Sequence, residues 1–158
     1  TSPTPTNPAA RVPKPRRLPS TRTALTPNQL DQINHIAATT GNDPELDTLL
    51  LRLHTETACR RGGALNLRPK DLDTEHCLVL LREKGDTQRW QPISPTLMTH
   101  LCAHAETRAP HAIDETDEQL LRYLNGRPIT RRCYDHLWHR IGTHVPWVAT
   151  QQISTHWH

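Results

Sequence analysis

The chain has 158 residues, contains no phenylalanine and carries a formal net charge of +3. This length suits one domain with a tail, and the core of that domain must be built from aliphatic side chains. No apolar run approaches the length that spans a membrane, and the four cysteines form no C-x-x-C pair. The composition therefore argues against a membrane-spanning protein and a disulfide-stabilised secreted domain, and favours free thiols in a reducing cytoplasm.

Residues 1–24 are rich in proline, threonine and arginine, a composition that predicts an extended, solvated linker. Residues 1–30 contain no acidic residue, and their basic residues are Arg11, Lys14, Arg16, Arg17 and Arg22. A basic tail of this kind often contacts nucleic acid or acidic surfaces, and a merely solvated linker is the alternative.

Two amphipathic helices are predicted next. Thr26 and Pro27 form a start signal, and apolar residues follow at helical spacing until Gly41. Asp43 and Pro44 repeat the signal, and leucines then recur with the spacing of one helix face. When this second helix is extended at about 100° per residue, Arg60 falls on its apolar face, where a charge needs a partner.

The rest of the chain predicts a small sheet and further helices. Residues 76–82 and 87–93 read as a hairpin around Gly85, with the second strand at a sheet edge because Pro92 cannot donate a hydrogen bond. A helix should begin at Ser94, and another should run from Thr130 to about Ile141. Residues 118–124 suit either a helix or a strand, and residues 144–153 read as a loop. The predicted fold is mainly α with a small antiparallel β-sheet, an α+β domain.

Four segments together carry a resemblance to a known family. In chain order they are ETACRRGGALNLRPKDLD (56–73), EKGDTQRWQPI (83–93), NGRPITRRCYDHLWHRIG (125–142) and STHWH (154–158). They resemble the first arginine region, the Lys-Gly hairpin, a late helix and the start of the His-x-x-Arg motif of the tyrosine recombinase (phage integrase) family. Lys84 and His156 follow Arg60 by 24 and 96 residues, a layout similar to the family's.

The resemblance implies a chemistry. Family members cut one DNA strand by attack of a tyrosine on a phosphodiester, giving a phosphotyrosyl intermediate and a free 5′-hydroxyl without a metal or other cofactor. The resemblance implies that Arg60 binds the non-bridging oxygens of the phosphate and that Lys84 protonates the leaving 5′ oxygen. It also implies that His156 acts as a general acid/base or as a hydrogen-bond donor to the phosphate. Further contacts with DNA phosphates are expected from Arg61, Arg89, Arg131 and Arg132.

Two departures from the family pattern qualify this expectation. Gly63 stands where family members commonly carry an acid that orients the arginine, so the orientation of Arg60 must come from elsewhere. The arginine of His-x-x-Arg would fall at position 159, and neither Tyr123 nor Tyr134 occupies the place of the nucleophile. We therefore expect a basic interdomain linker over 1–24 and a catalytic domain over 25–158 that is truncated at this motif and inactive alone.

The partner implied is double-stranded DNA, bound by a tetramer of the intact parent in the bacterial cytoplasm at the nucleoid, while the free fragment is monomeric. The alternatives are a cleavage-incompetent DNA-binding remnant and an unrelated helical DNA-binding or interaction domain. A metal site is a further alternative, because histidines recur closely, but neither a cysteine pair nor a helical H-E-x-x-H accompanies them. Those histidine pairs are His100/His104, His136/His139 and His156/His158.

Overall fold

The computed structural model describes residues 25–85, 87–108, 118–151 and 153. Within this part of the chain, helices are combined with one three-stranded antiparallel sheet, so the α+β prediction is confirmed. The helices are α1 (Pro27–Thr39), α2 (Pro44–Thr57), α3 (Arg61–Leu65), a short 3₁₀ helix (Pro69–Asp71), α4 (Pro95–Arg108), α5 (Arg131–His144) and α6 (Pro146–Thr150). The strands are β1 (Leu72–Asp73), β2 (Leu78–Glu83) and β3 (Thr87–Pro92).

Helices α1 and α2 begin where the capping signals predicted. The Thr26 hydroxyl accepts a hydrogen bond from the Gln29 amide at 3.2 Å, and the Gln29 side chain accepts one from the Thr26 amide at 3.0 Å. This reciprocal pair satisfies two backbone donors that a helix start leaves open. Asp43 caps α2 by accepting from the Leu46 amide at 3.3 Å.

Helix α2 ends before it reaches Arg60, so the predicted position of Arg60 on the apolar face of that helix is wrong. The helix stops at Thr57, and Ala58 adopts the left-handed conformation with φ of 54°. A left-handed residue breaks the helical repeat, and extrapolation at a constant angle fails beyond it. Arg60 lies in the following turn and is exposed.

The sheet has the order β1-β2-β3, which makes β3 an edge strand, as Pro92 predicted. Val79 and Leu81 of β2 are buried, and β2 packs against α3. On the opposite side of the sheet, Leu80 pairs with Trp90, whose side chain remains 52% exposed. Strand β1 was not predicted because it has two residues, too few for an alternating pattern.

The C-terminal helices complete the core. Tyr134, Leu137 and Ile141 of α5 face inward as predicted, and Tyr134 and Ile141 are fully buried. The loop predicted for residues 144–153 is wrong in part, since Pro146 begins the short helix α6. Residues 118–124 form neither a helix nor a regular strand. They contribute an isolated bridge between Arg122 and Pro128.

Several predicted features lie outside the described residues. They are the linker 1–24, Asp86 of the hairpin turn, and the segment 154–158 with His156 and His158. Among the described residues, no helix combines the length and the apolar character needed to cross a bilayer.

Candidate functional site

The tertiary structure brings Arg60 and Lys84 to one open cavity of about 420 Å³. The turn before α3 supplies Arg60, and the turn after β2 supplies Lys84. The start of α5 closes the cavity with Arg131, which is 71 residues from Arg60 in the sequence. The charged side chains that line the cavity are Arg60, Arg61, Arg82, Glu83, Lys84 and Arg131. Five cations against one acid give the cavity a positive potential.

Part of this charge is engaged within the protein. Arg82 forms a two-pronged pair with buried Asp71, with Nη2 of Arg82 2.6 Å from Oδ1. Glu83 lies 3.4 Å from the Arg89 guanidinium. Arg82 and Glu83 were not predicted as site residues, although their position at the end of β2, directly before Lys84, was a signal that could have identified them.

Arg61 points toward α5. Its guanidinium lies 5.1 Å from the centre of the Tyr134 ring and 3.5 Å from the Asp135 carboxylate. A guanidinium over an aromatic face is attracted by the ring quadrupole. Arg61 therefore connects the start of α3 to α5 and also lines the cavity, where a contact with DNA phosphate remains a prediction.

Three lining cations differ from Arg61 and Arg82, because their side chains form no hydrogen bond or ion pair with other described residues. These three are Arg60, Lys84 and Arg131. Arg60 and Arg131 present guanidinium groups, which can donate two parallel hydrogen bonds to a phosphate. Lys84 presents an ammonium group, which can give up a proton. The cavity therefore holds three cations whose charge the described part of the protein does not neutralise, as an anion-binding site requires.

The backbone just before Arg60 is held from inside the domain. The Cys59 amide donates to the Thr57 hydroxyl at 3.2 Å, and the Cys59 carbonyl lies 2.8 Å from Nδ1 of His54. The other ring nitrogen of His54, Nε2, lies 2.7 Å from the Tyr134 hydroxyl. Burial raises the pKa of the Cys59 thiol to about 11, so the thiol stays protonated at neutral pH.

Gly63 leaves room for a neighbouring acid. A Cβ atom at position 63 would lie 3.3 Å from Cγ of Glu83 and 3.4 Å from its Oε1. The Glu83 side chain therefore packs against the position where family members commonly carry an acid. This acid comes from β2, and sequence reasoning along α3 could not detect it.

The remaining predicted phosphate contacts lie away from the lining of the cavity. Arg89 donates to the Thr57 carbonyl at 3.0 Å and to the Gln91 side chain at 2.6 Å, so it ties β3 to the end of α2. Arg132 is exposed at the start of α5. His156 belongs to the segment outside the described residues.

The histidine pairs do not assemble a metal centre in the described part of the chain, where no group of three or more potential ligands is found. In the His100/His104 pair, His100 is exposed and His104 is fully buried, so the two rings face different environments. The His104 Nε2 accepts the Arg122 amide at 3.0 Å and is engaged in the core.

A family comparison matches residues 23–158 to the phage integrase family. The chain therefore belongs to the phage integrase family, the family of the tyrosine recombinases. A comparison with curated proteins found no match.

Solved structures share this fold. The Tn1549 transposon integrase in complex with transposon right end DNA is 18% identical with a TM-score of 0.65, covering 86% of this chain and 50% of that one. The XerH recombinase bound to palindromic difH substrate is 17% identical with a TM-score of 0.62, over 85% and 38%. The XerA recombinase is 18% identical with a TM-score of 0.56, over 76% and 43%. The chain thus spans half or less of the length of these structures.

Proposed function

We propose that residues 25–158 are the DNA-binding catalytic domain of a site-specific tyrosine recombinase, with residues 1–24 as its interdomain linker. The intact parent would cut and rejoin DNA strands through a phosphotyrosyl intermediate. The observation that carries this proposal is the cavity in which Arg60, Lys84 and Arg131 lack an acidic partner among the described residues. The structural neighbours from Tn1549 and XerH were solved with DNA, which supports double-stranded DNA as the partner.

In the proposed reaction, a tyrosine hydroxyl gives up its proton to water, its oxygen attacks the phosphorus, and the bond from phosphorus to the 5′ oxygen breaks. Arg60 and Arg131 donate hydrogen bonds to the non-bridging oxygens, where negative charge develops in the transition state. One such donor contributes about 3–4 kcal/mol. Lys84 gives a proton to the departing 5′ oxygen, a role open to lysine because its pKa is tunable, whereas arginine keeps its proton. His156 is assigned an acid/base or phosphate-donor role on its motif alone.

The two tyrosines of the printed sequence are poor candidates for the nucleophile. Tyr134 is fully buried, burial raises its pKa, and its hydroxyl is engaged by His54. The Tyr123 hydroxyl lies 3.4 Å from the Thr130 amide, and Tyr123 does not line the cavity. We therefore propose that the 158 residues alone bind DNA without cutting it.

The covalent step has a direct test. The 158-residue chain, mixed with nicked duplex DNA and denatured in detergent, should give no DNA-linked species on a gel. A covalent species would mean that one of these tyrosines, or another side chain, serves as nucleophile. The variants Tyr123→Phe and Tyr134→Phe would then identify which hydroxyl is responsible.

The assignment of Lys84 is tested in a recombinase chain that carries the nucleophilic tyrosine. Lys84→Ala should nearly abolish cleavage of ordinary DNA but retain cleavage when sulfur replaces the 5′ bridging oxygen, because a thiolate leaves with little protonation. Arg60→Ala should lose activity on both substrates, since it acts on the non-bridging oxygens. An unrescued Lys84→Ala variant would show that Lys84 is not the acid.

DNA binding by the 158-residue chain tests the phosphate contacts. Affinity should fall steeply with salt, and Arg60→Ala or Lys84→Ala should each reduce the slope of log affinity against log salt by about one unit. Arg52→Ala is the matched control, because Arg52 lies on α2 outside this cavity and pairs with Glu56. Equal effects of the three substitutions would contradict a localised site.

The assembly proposed for the intact parent is a tetramer on DNA, in the bacterial cytoplasm at the nucleoid. The 158-residue chain is proposed to be a monomer in solution. Sedimentation of the chain with and without duplex DNA tests this, and a stable dimer without DNA would contradict it.

A further inference from the structure

We infer that the buried pair His54–Tyr134 is a positioning device that holds Arg60 in the orientation needed to bind phosphate. The inference rests on the proposed function of the cavity. Position 63 is glycine, so the helix that follows Arg60 offers no side chain there to orient it. The His54–Tyr134 pair acts instead on the backbone that carries Arg60.

The peptide bond between Cys59 and Arg60 is the point of control. Its carbonyl oxygen is bonded to Nδ1 of His54 at 2.8 Å, and its amide nitrogen belongs to Arg60. Because a peptide unit is planar, fixing the carbonyl direction also fixes the nitrogen to which the Cα of Arg60 is attached. The preceding residue, Ala58, holds the left-handed φ of 54° that starts this turn. A rotation of this peptide would swing the exposed Arg60 side chain away from the cavity.

The hydrogen bonds define the tautomer of His54. A carbonyl oxygen only accepts, so Nδ1 carries the proton and donates to Cys59. In the neutral imidazole Nε2 is then the acceptor, and the Tyr134 hydroxyl donates to it at 2.7 Å. The two rings meet edge to face, with an interplanar angle of 80°. The imidazole is thereby held at both nitrogens and cannot rotate without breaking one of two buried bonds.

Tyr134 also connects the two arginine-bearing elements of the cavity. It lies one helical turn after Arg131 on α5, and its ring carries the Arg61 guanidinium at 5.1 Å. The chain of contacts therefore runs from α5 through Tyr134 and His54 to the peptide before Arg60. A change at Tyr134 should reach Arg60 without any direct contact between them.

Core packing alone does not require this pair. His54 and Tyr134 are both fully buried, and burying their polar atoms costs free energy unless each atom finds a partner. Apolar side chains of similar size would fill the same space without polar side-chain atoms, but they would leave the Cys59 carbonyl without this hydrogen bond. The polar pair supplies what apolar residues cannot, namely a directed bond to one carbonyl at the edge of the cavity.

The test is a titration of the isotopically labelled 158-residue chain with inorganic phosphate, followed by NMR at the Nε–H signals of Arg60 and Arg131. Both side chains line the cavity, so the Arg131 signal still reports phosphate binding in a variant that lacks Arg60. The key comparison is His54→Asn against His54→Gln. The asparagine amide nitrogen occupies the place of Nδ1 and can still donate to the Cys59 carbonyl. The glutamine amide occupies the place of Nε2 and keeps only the contact with Tyr134. Urea unfolding of each variant separates loss of stability from loss of binding.

We expect His54→Gln to weaken phosphate binding at Arg60 by about tenfold and Tyr134→Phe by about threefold, since supporting contacts hold the site geometry. His54→Asn should remain within about twofold of the original chain for the same reason. Equal affinities for the asparagine and glutamine variants overturn the inference. If His54→Gln fails to fold, weaker binding by Tyr134→Phe than by His54→Asn supports the inference, and the reverse order overturns it.

Arg60→Ala separates this inference from the proposed function. If the original chain binds phosphate and Arg60→Ala weakens binding by about tenfold or more, the phosphate site stands. If Arg60→Ala changes nothing, the proposed site itself is wrong. If the original chain binds phosphate and the His54→Gln and Tyr134→Phe variants bind it with the same affinity, only the positioning role is rejected.

Discussion

Replacing Ala58 with glycine should stabilise the protein, because Ala58 holds a φ of 54° at the end of α2. The left-handed conformation costs a residue with a Cβ atom roughly 1–2 kcal/mol. Glycine avoids this cost but loses about 0.5–1 kcal/mol through the greater freedom of the unfolded chain. The Ala58 side chain is exposed, so removing its methyl group sacrifices little buried surface. The free energy of unfolding should therefore rise by about 0.5–1 kcal/mol.

Urea unfolding monitored by circular dichroism measures this change, and the midpoint should rise while the slope stays constant. Ala103→Gly is the matched control, because Ala103 is exposed within the right-handed helix α4. The substitution removes the same methyl group from a residue that is not in the left-handed conformation. There the substitution should lower the free energy of unfolding by about 1 kcal/mol. A rise in the free energy of unfolding at position 58 and a fall at position 103 would support the left-handed turn before Arg60. Destabilisation of similar size at both would refute it.

Further predictions concern pH and glycine positions. Burial, together with the charge of Arg108, lowers the pKa of His104 to about 4 from an ordinary value near 6.5. As pH falls below that ordinary value the unfolded chain takes up the proton first, so stability should drop by about 3 kcal/mol between pH 6.5 and 4. His104→Gln should flatten this part of the curve of unfolding free energy against pH, and an unchanged curve would refute the assignment. Gly41→Ala should destabilise more than Gly85→Ala, by about 1 kcal/mol or more in urea unfolding. Both glycines have positive φ, but only a Cβ at position 41 would meet the Arg140 guanidinium, at 2.5 Å. Equal losses of unfolding free energy in the Gly41→Ala and Gly85→Ala variants would mean that the Arg140 side chain moves aside freely.

Local signals in the sequence predicted the elements that depend on neighbouring residues. Thr26 and Asp43 mark the starts of α1 and α2, because a capping side chain bonds an amide only three residues away. Gly85 and Pro92 indicated the turn and the edge of the hairpin for similarly local reasons. The order and spacing of the motifs around Arg60 and Lys84 were enough to indicate the phage integrase family.

The surroundings of Arg60 were decided by the tertiary structure. The left-handed turn at Ala58 ended α2 early, and helical periodicity carries no information beyond such a break. His54 and Tyr134 are 80 residues apart, and only the packing of α5 against the end of α2 makes their bond. The placement of Glu83 against Gly63 and of Arg131 at the cavity likewise depends on how distant elements pack. The sequence by itself determined which cations this domain carries and where its main helices begin. Long-range packing determined which of those cations meet at one cavity and what holds Arg60 there, because such contacts depend on the arrangement of whole elements and not on their local sequence.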